Sequence, residues 1–121
     1  MLLKNKNLRK KLGNEGETIA CKYLEKINYR IIERNFRCKF GEIDIVAIEN
    51  GEFVFIEVKT RHNQLFGRPA LAVNKKKQKH IISASKYYLT INKISFINIR
   101  YEVIEIIKKD KYYLNHIHNM I

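Results

Sequence analysis

The pattern of apolar and polar positions divides the chain into helix-like and strand-like segments in the order α-β-β-β-α-β-(β). Apolar residues recur at helical spacing from Asn14 to Ile27 and again from Ala72 to Leu89. Runs rich in β-branched and aromatic residues, typical of strands, occupy residues 30–38, 42–59, 94–107 and 111–118. Helices separated by a run of strands predict an α/β fold in which helices cover a sheet.

The segment 42–59 contains the clearest turn signal of the chain. Asn50-Gly51 lies between two strand-like flanks, and this dipeptide favours a two-residue hairpin loop. With these two residues as the loop, Asp44 lies directly across from Glu57, whereas a bulge at the turn would shift the pairing by one residue. Opposed residues have Cβ atoms roughly 4.5–5.5 Å apart, and like charges there are destabilising. The pair therefore predicts a bound cation.

Lys59 extends this candidate site, because side chains two positions apart on a strand share a face and Lys59 follows Glu57 at that spacing. Carboxylate oxygens suit Mg²⁺, with Mn²⁺ as the alternative ion. Such an ion polarises a phosphoryl oxygen and lowers the pKa of a bound water, and a lysine can orient that water. The residues predict a metal-dependent phosphodiesterase; the alternative is a surface hairpin with solvated acids.

The charge distribution indicates the class of partner. The chain has 24 basic and 12 acidic residues, a net charge of +12. Residues 60–93 hold eight Lys and Arg and no acid, whereas residues 42–59 hold five acids and one lysine. A basic segment beside an acidic cluster favours a polyanion, since neutralised phosphates release counterions. The predicted nucleic-acid contacts are Arg61, Arg68, Lys75, Lys76, Lys77, Lys79 and Lys86; a solvated helix face is the alternative for the lysines.

Other features limit the class of protein. No run of 18 or more apolar residues is present, so a membrane span is excluded, and the start lacks the apolar stretch of a secretion signal. We therefore expect a cytoplasmic protein. The two cysteines form no Cys-x-x-Cys motif, which argues against a disulfide framework or a cysteine-based zinc site.

The chain length predicts one domain at residues 13–121, preceded by a basic, flexible arm at residues 1–12. His116-x-His118 is the other candidate metal pair, because alternate strand positions share a face. No acid or cysteine lies near these histidines in the sequence, which weakens that interpretation.

Asp44 followed by Glu57-Val58-Lys59 resembles the core of the PD-(D/E)xK nucleases. A longer set of residues resembles the small YraN family, presumed nucleases related to archaeal Holliday junction resolvases. The resemblance spans roughly residues 13 to 105 and consists of four pieces. The first two are Gly16-Glu17-x-x-Ala20 with Tyr23-Leu24, and Arg34-Asn35 with residues 41–47. The other two are residues 54–61, and Phe66-Gly67-x-Pro69 followed by Lys77 and residues 84–89. The chain departs from the family at Arg100-Tyr101-Glu102-Val103, where members tend to have Arg-Phe-Asp-Val.

The resemblance implies a restriction-endonuclease-like fold, a central mixed sheet flanked by helices. It implies that Asp44 and Glu57 bind the metal, that Val58 offers its backbone carbonyl and that Lys59 is catalytic. It also implies that Glu17 reaches the site from the first helix, although the sequence alone makes Glu17 a helix-capping residue. The implied substrate is DNA, including branched or recombination intermediates, and a homodimer would supply two active sites for two strands. The alternative is a non-catalytic nucleic-acid-binding module that retains the nuclease fold.

Overall fold

The computed structural model describes residues 2–62 and 74–121, with side chains described from residue 10 onward within those ranges. Its five strands form one sheet in the order β1-β2-β3-β4-β5, in which β3 and β4 run parallel and the other neighbours run antiparallel. The elements are α1 (Leu2–Lys26), β1 (Arg30–Cys38), β2 (Gly41–Glu49), β3 (Glu52–Arg61), α2 (Lys75–Ile91), β4 (Ile99–Lys108) and β5 (Tyr112–Ile117). This order and the mixed sheet confirm the predicted fold class.

Each helix covers one face of the sheet. Alternation along β3 sends Val54 and Ile56 into the core beneath α1, where Leu24 is fully buried. The intervening Phe53 and Phe55 pack in the other core, beneath α2. Burying each such side chain stabilises the fold by about 1.5–3 kcal/mol, so the central strands are fixed between two apolar layers.

The first helix begins earlier than the sequence pattern predicted. The predicted start at Asn14 is wrong, because α1 is helical from Leu2 and includes most of the segment expected to be a flexible arm. Asn14 is not an N-cap: its carbonyl accepts a hydrogen bond from Thr18 Oγ1 within the helix. Residues 2–12 are rich in Leu, Lys and Arg, which are good helix formers, and a polar composition does not by itself stop a helix.

The predicted hairpin register is confirmed. Glu49 pairs with Glu52 across the Asn50-Gly51 turn, and the ladder continues without a bulge to the pair Ile45–Ile56. Asn50 and Gly51 both have positive φ, 52° and 73°, as a two-residue hairpin loop requires. The turn therefore sets which residues of β2 and β3 meet at the open end of the hairpin.

The later boundaries shift by a few residues. Helix α2 begins at Lys75, capped by Asn74, whose side-chain oxygen accepts a hydrogen bond from Lys77 N at 2.8 Å. The predicted start at Ala72 lies outside the described residues. Strand β4 begins at Ile99, not Ile94, because Ile94 N bonds back to Leu89 O and closes the end of α2. In the part of the chain that the structure describes, neither helix is long and apolar enough to cross a membrane.

Candidate metal centre

The site lies where β2 and β3 separate. The backbone ladder ends at Ile45–Ile56, and the next residues are linked through side chains. Asp44 Oδ2 accepts a hydrogen bond from Val58 N at 2.8 Å, and the charge of Asp44 raises the pKa of the neighbouring Glu57 carboxyl. The structure therefore brings these two acids together, just beyond the paired part of the hairpin.

Burial disfavours the state in which the carboxyls of Asp44 and Glu57 are both ionised. Glu57 is only 7% exposed, and burial together with the charge of Asp44 raises the pKa of its carboxyl to about 7. Burial also raises the pKa of Asp44, opposed by the hydrogen bond from Val58 N. Two adjacent carboxyls that do not ionise together form a site that a divalent cation would stabilise, because its charge compensates both.

Glu17 reaches the same region from α1. The preceding residue, Gly16, is buried against β3, and a Cβ added there would overlap the hydroxyl of Thr60. This glycine lets the helix approach the strand closely. Burial raises the pKa of Glu17, and the charge of Asp44 raises it further. Because Glu17 lies well inside α1, the alternative role as a helix cap is wrong.

One oxygen of Glu17 has no hydrogen-bond partner. Glu17 Oε1 is buried and makes no hydrogen bond to a residue that the structure describes, although Arg34 Nη2 forms an ion pair with it at 3.7 Å. A buried carboxylate oxygen without a hydrogen bond destabilises the fold unless a water donates a hydrogen bond to it or an ion binds it. The possible metal ligands of the site are therefore hard oxygen atoms, and Glu17 Oε1 can still accept a hydrogen bond from a water or bind an ion.

The three carboxylates do not converge on one point. Among the described residues, the three-residue group with all ligand atoms within 4.8 Å of one another lies elsewhere, at Glu102, His116 and His118. Mg²⁺ commonly takes one or two carboxylates and completes its shell with waters. Asp44 and Glu57 fit that pattern as direct ligands, and Glu17 lies near enough for the charge of Asp44 to raise its pKa. The backbone amide of Val58 donates a hydrogen bond to Asp44. That the backbone carbonyl of Val58 binds the metal stays a prediction.

Two lysines border the acidic pair. The charge of Lys59 lowers the pKa of Glu57, which agrees with the predicted position of this lysine beside the acids. Lys77 Nζ lies 3.5 Å from Glu57 Oε1, and the side chain of Lys77 is 42% exposed. Sequence reasoning assigned Lys77 to phosphate contact and missed this ion pair, because it depends on how α2 packs against the sheet.

The other predicted basic contacts spread along α2 and beyond. Lys75, Lys76, Lys79 and Lys86 are exposed on α2, and Arg61 is half-buried at the end of β3. Arg68 lies outside the described residues. The backbone of His80 lies close to Gly41 at the start of β2, where an added Cβ would sit 3.2 Å from His80 O. This approach keeps the basic helix beside the strand that carries Asp44.

Sequence reasoning missed one more acid. Glu105 pairs with Lys59 across the parallel strands, is 4% exposed and has a buried Oε2 without a hydrogen bond. Burial raises its pKa, and the charge of Arg61 opposes that shift. A parallel register depends on the helical crossover rather than on a short turn, so no local pattern indicated this pairing. By contrast Glu42, at the start of β2, forms an exposed ion pair with Arg37 at 3.8 Å.

The comparisons with known proteins identify the family of this chain. The model of the uncharacterised protein family UPF0102 matches residues 16–106. A UPF0102 protein of Clostridium perfringens (strain 13) is 47% identical over 113 residues, covering 91% of this chain and 93% of that protein. A UPF0102 protein of Alkaliphilus oremlandii is 46% identical over 115 residues, covering 93% and 98%. The chain therefore belongs to the family UPF0102, the YraN family that its motifs resemble.

Proposed function

We propose that this protein is a metal-dependent endonuclease-like protein that hydrolyses phosphodiester bonds in DNA. The observation that carries the proposal is the buried pair of Asp44 and Glu57, bordered by Lys59 and Lys77. Metal-binding acids beside lysines, next to a basic helix, fit a substrate with a phosphate backbone. The donor set fits Mg²⁺, with Mn²⁺ as a substitute, because it offers hard carboxylate oxygens, including a buried Glu17 oxygen without a hydrogen bond from the described residues.

Each residue then has a distinct role. Asp44 and Glu57 would hold the ion together with the Val58 carbonyl, and the bound ion would supply charge stabilisation at phosphorus and an acidified water. Lys59 would orient the attacking water and stabilise the charge that develops on the phosphate. Glu17 would accept a hydrogen bond from a water at the site, which uses its free oxygen.

The basic residues would position the backbone of the DNA. The first turns of α2 carry Lys75, Lys76 and Lys79. Their neighbour Lys77 forms an ion pair with Glu57. A DNA strand whose phosphates contact these exposed ammonium groups would pass close to Asp44 and Glu57. Branched or recombination intermediates are the proposed substrates, acted on in the cytoplasm by a homodimer with one active site for each strand.

A cleavage screen tests the proposal. Purified protein is incubated with linear, nicked, flapped and four-way DNA in Mg²⁺ or Mn²⁺, with EDTA as the blank. We expect cleavage of at least one substrate, and we expect Asp44→Asn to abolish cleavage while binding is retained. Asp110→Asn is the matched control, because it makes the same change at an exposed acid beyond β4. Absence of cleavage on all substrates with both ions would contradict the proposal.

A non-catalytic DNA-binding module is the second candidate, and the ion pair between Lys77 and Glu57 favours it. This lysine already compensates part of the acidic charge without a metal. The alternative predicts salt-dependent DNA binding that EDTA and Glu57→Ala leave unchanged. Calorimetry separates the two candidates: Mg²⁺ or Mn²⁺ binding that disappears in Glu57→Ala supports the enzyme, and no binding by the wild type supports the module.

A further inference from the structure

A second cluster of metal-ligating side chains lies on the α1 side of the sheet. It consists of Glu102 on β4, His116 on β5 and His118 just after β5, with all ligand atoms within 4.8 Å of one another. His116 Nε2 lies 2.8 Å from Glu102 Oε1, and His118 Nδ1 lies 3.6 Å from Glu102 Oε2. The expectation that no acid joins the two histidines is therefore wrong.

We propose that Glu102, His116 and His118 bind a first-row transition-metal ion, with Zn²⁺ as the best fit. This site goes beyond the proposed nuclease function and is separate from the Asp44–Glu57 centre. Two imidazole nitrogens and one carboxylate oxygen are a recurrent Zn²⁺ donor set, whereas Mg²⁺ prefers oxygen ligands alone. The chemistry of the donors thus assigns different ions to the two centres.

The residues around the cluster hold its ligands in place. Tyr23 OH is hydrogen-bonded to His116 Nδ1 at 2.9 Å, which leaves Nε2 directed toward Glu102. Tyr29 OH donates to Glu102 Oε1 at 2.9 Å. Hydrogen bonds of this kind fix the ring orientation of a ligating histidine and increase metal affinity. A histidine held at both nitrogens and a buried carboxylate make a pre-organised site.

The local charge also favours a divalent cation. Arg100 contacts three carboxylates: Glu49 and Glu52 at 2.8 Å each and Glu102 at 3.1 Å. A single guanidinium therefore faces three carboxyl groups, and one of these, that of Glu102, also contacts both histidines. Glu102 has no exposed surface, and its carboxyl oxygens are bonded by Tyr29, Arg100 and His116. An ion of charge +2 between Glu102 and the histidines would balance the cluster.

The site is open to solvent on one side. The side chain of His118 is 65% exposed and lines a surface cavity of about 340 Å³ together with Arg100 and Asn119. An ion can therefore enter beside His118, and a water from the cavity can take the fourth coordination position. The bound ion would tie β5 to β4 and, through Tyr23, to α1.

Metal titration of the untagged protein after EDTA treatment and dialysis tests the proposal. We expect one Zn²⁺ per chain by calorimetry against a competing chelator, and a visible d–d absorption band when Co²⁺ replaces it. His118→Ala should weaken Zn²⁺ affinity by more than about tenfold. The side chain of His118 is largely exposed, so its truncation removes little core packing, and circular dichroism checks that the variant folds. Tyr23→Phe should weaken the affinity by about tenfold while keeping all three ligands.

Two controls isolate the cluster from other metal-binding groups. His62→Ala removes an exposed histidine at the end of β3, and Asp44→Asn disables the proposed magnesium centre. Both variants should bind Zn²⁺ as the wild type does. Absence of saturable Zn²⁺ binding would overturn the proposal, and so would an affinity that is unchanged in His118→Ala or lost in Asp44→Asn. In those cases the cluster is a metal-free hydrogen-bond network.

Discussion

The raised pKa of Glu57 predicts that the metal-free protein loses stability as the pH rises through neutrality. The carboxyl of Glu57 has an ordinary pKa of 4.5 and a folded-state pKa of about 7. Between these values the folded state holds a proton that the unfolded state has released. Stability therefore falls with increasing pH across that window, and the loss is complete only above the folded-state pKa.

The size of the effect follows from the two pKa values. A difference of about 2.5 units corresponds to about 3 kcal/mol, of which about 2 kcal/mol falls between pH 5.5 and pH 8.5. Glu57→Gln cannot ionise, so this part of the pH dependence should vanish in the variant. The variant should therefore gain about 2 kcal/mol on the wild type over that range, or about 8 °C in Tm for a domain of this size.

Urea denaturation in EDTA at several pH values measures this difference for wild type and Glu57→Gln. Glu25→Gln is the control, because Glu25 is exposed on α1. Adding Mg²⁺ at pH 8.5 should restore stability to the wild type and leave Glu57→Gln unchanged, since the ion needs the ionised carboxylate. If the difference between wild type and Glu57→Gln is the same at pH 5.5 and pH 8.5, the carboxyl pair is not strained by its charge and the reasoning fails.

Three further changes test other parts of the structure. Gly16→Ala should lower the free energy of unfolding by about 1–3 kcal/mol through overlap with Thr60, and Thr60→Ala in the same chain should recover most of it. Arg100→Met should cost about 3–5 kcal/mol by stranding three carboxylates, while Arg37→Met, which breaks an exposed pair, should cost under about 1 kcal/mol. Lys77→Met should raise Mg²⁺ affinity about two- to fivefold in calorimetry, because the competing ammonium is gone; a lower affinity would contradict its placement.

The centre of the site was predictable because its geometry is local. A two-residue turn at Asn50-Gly51 determines the register of β2 and β3, so the meeting of Asp44 and Glu57 follows from counting along two strands. The placement of Glu17 needed the family resemblance. Its physical cause, the close approach of α1 to β3 at Gly16, involves residues far apart in the sequence and has no periodic signature.

The features that sequence reasoning missed depend on packing between distant segments. Lys77 meets Glu57 only because α2 crosses from β3 to β4, and that crossover also determines the parallel register. The contact of Glu102 with the two histidines could have been predicted from the sequence. A short turn joins β4 and β5, and counting outward from the pair Lys108–Tyr112 places Glu102 opposite His118. The helix start was missed because a polar, basic composition was taken to exclude a helix.

The two proposed centres lie on opposite faces of the same sheet, the first on β2 and β3 and the second on β4 and β5, so one chelator could remove both ions. Glu57 pairs with Val103, the neighbour of Glu102, and side chains of adjacent residues point to opposite faces. Their donors separate them: the first centre offers oxygen and should select Mg²⁺, while the second includes imidazole nitrogen and should select Zn²⁺. A chelator with strong preference for Zn²⁺ over Mg²⁺ should therefore lower the Tm and leave DNA cleavage in Mg²⁺ intact. Loss of cleavage under that treatment would show that the ion at Glu102 also supports the geometry of the first centre through β3 and β4.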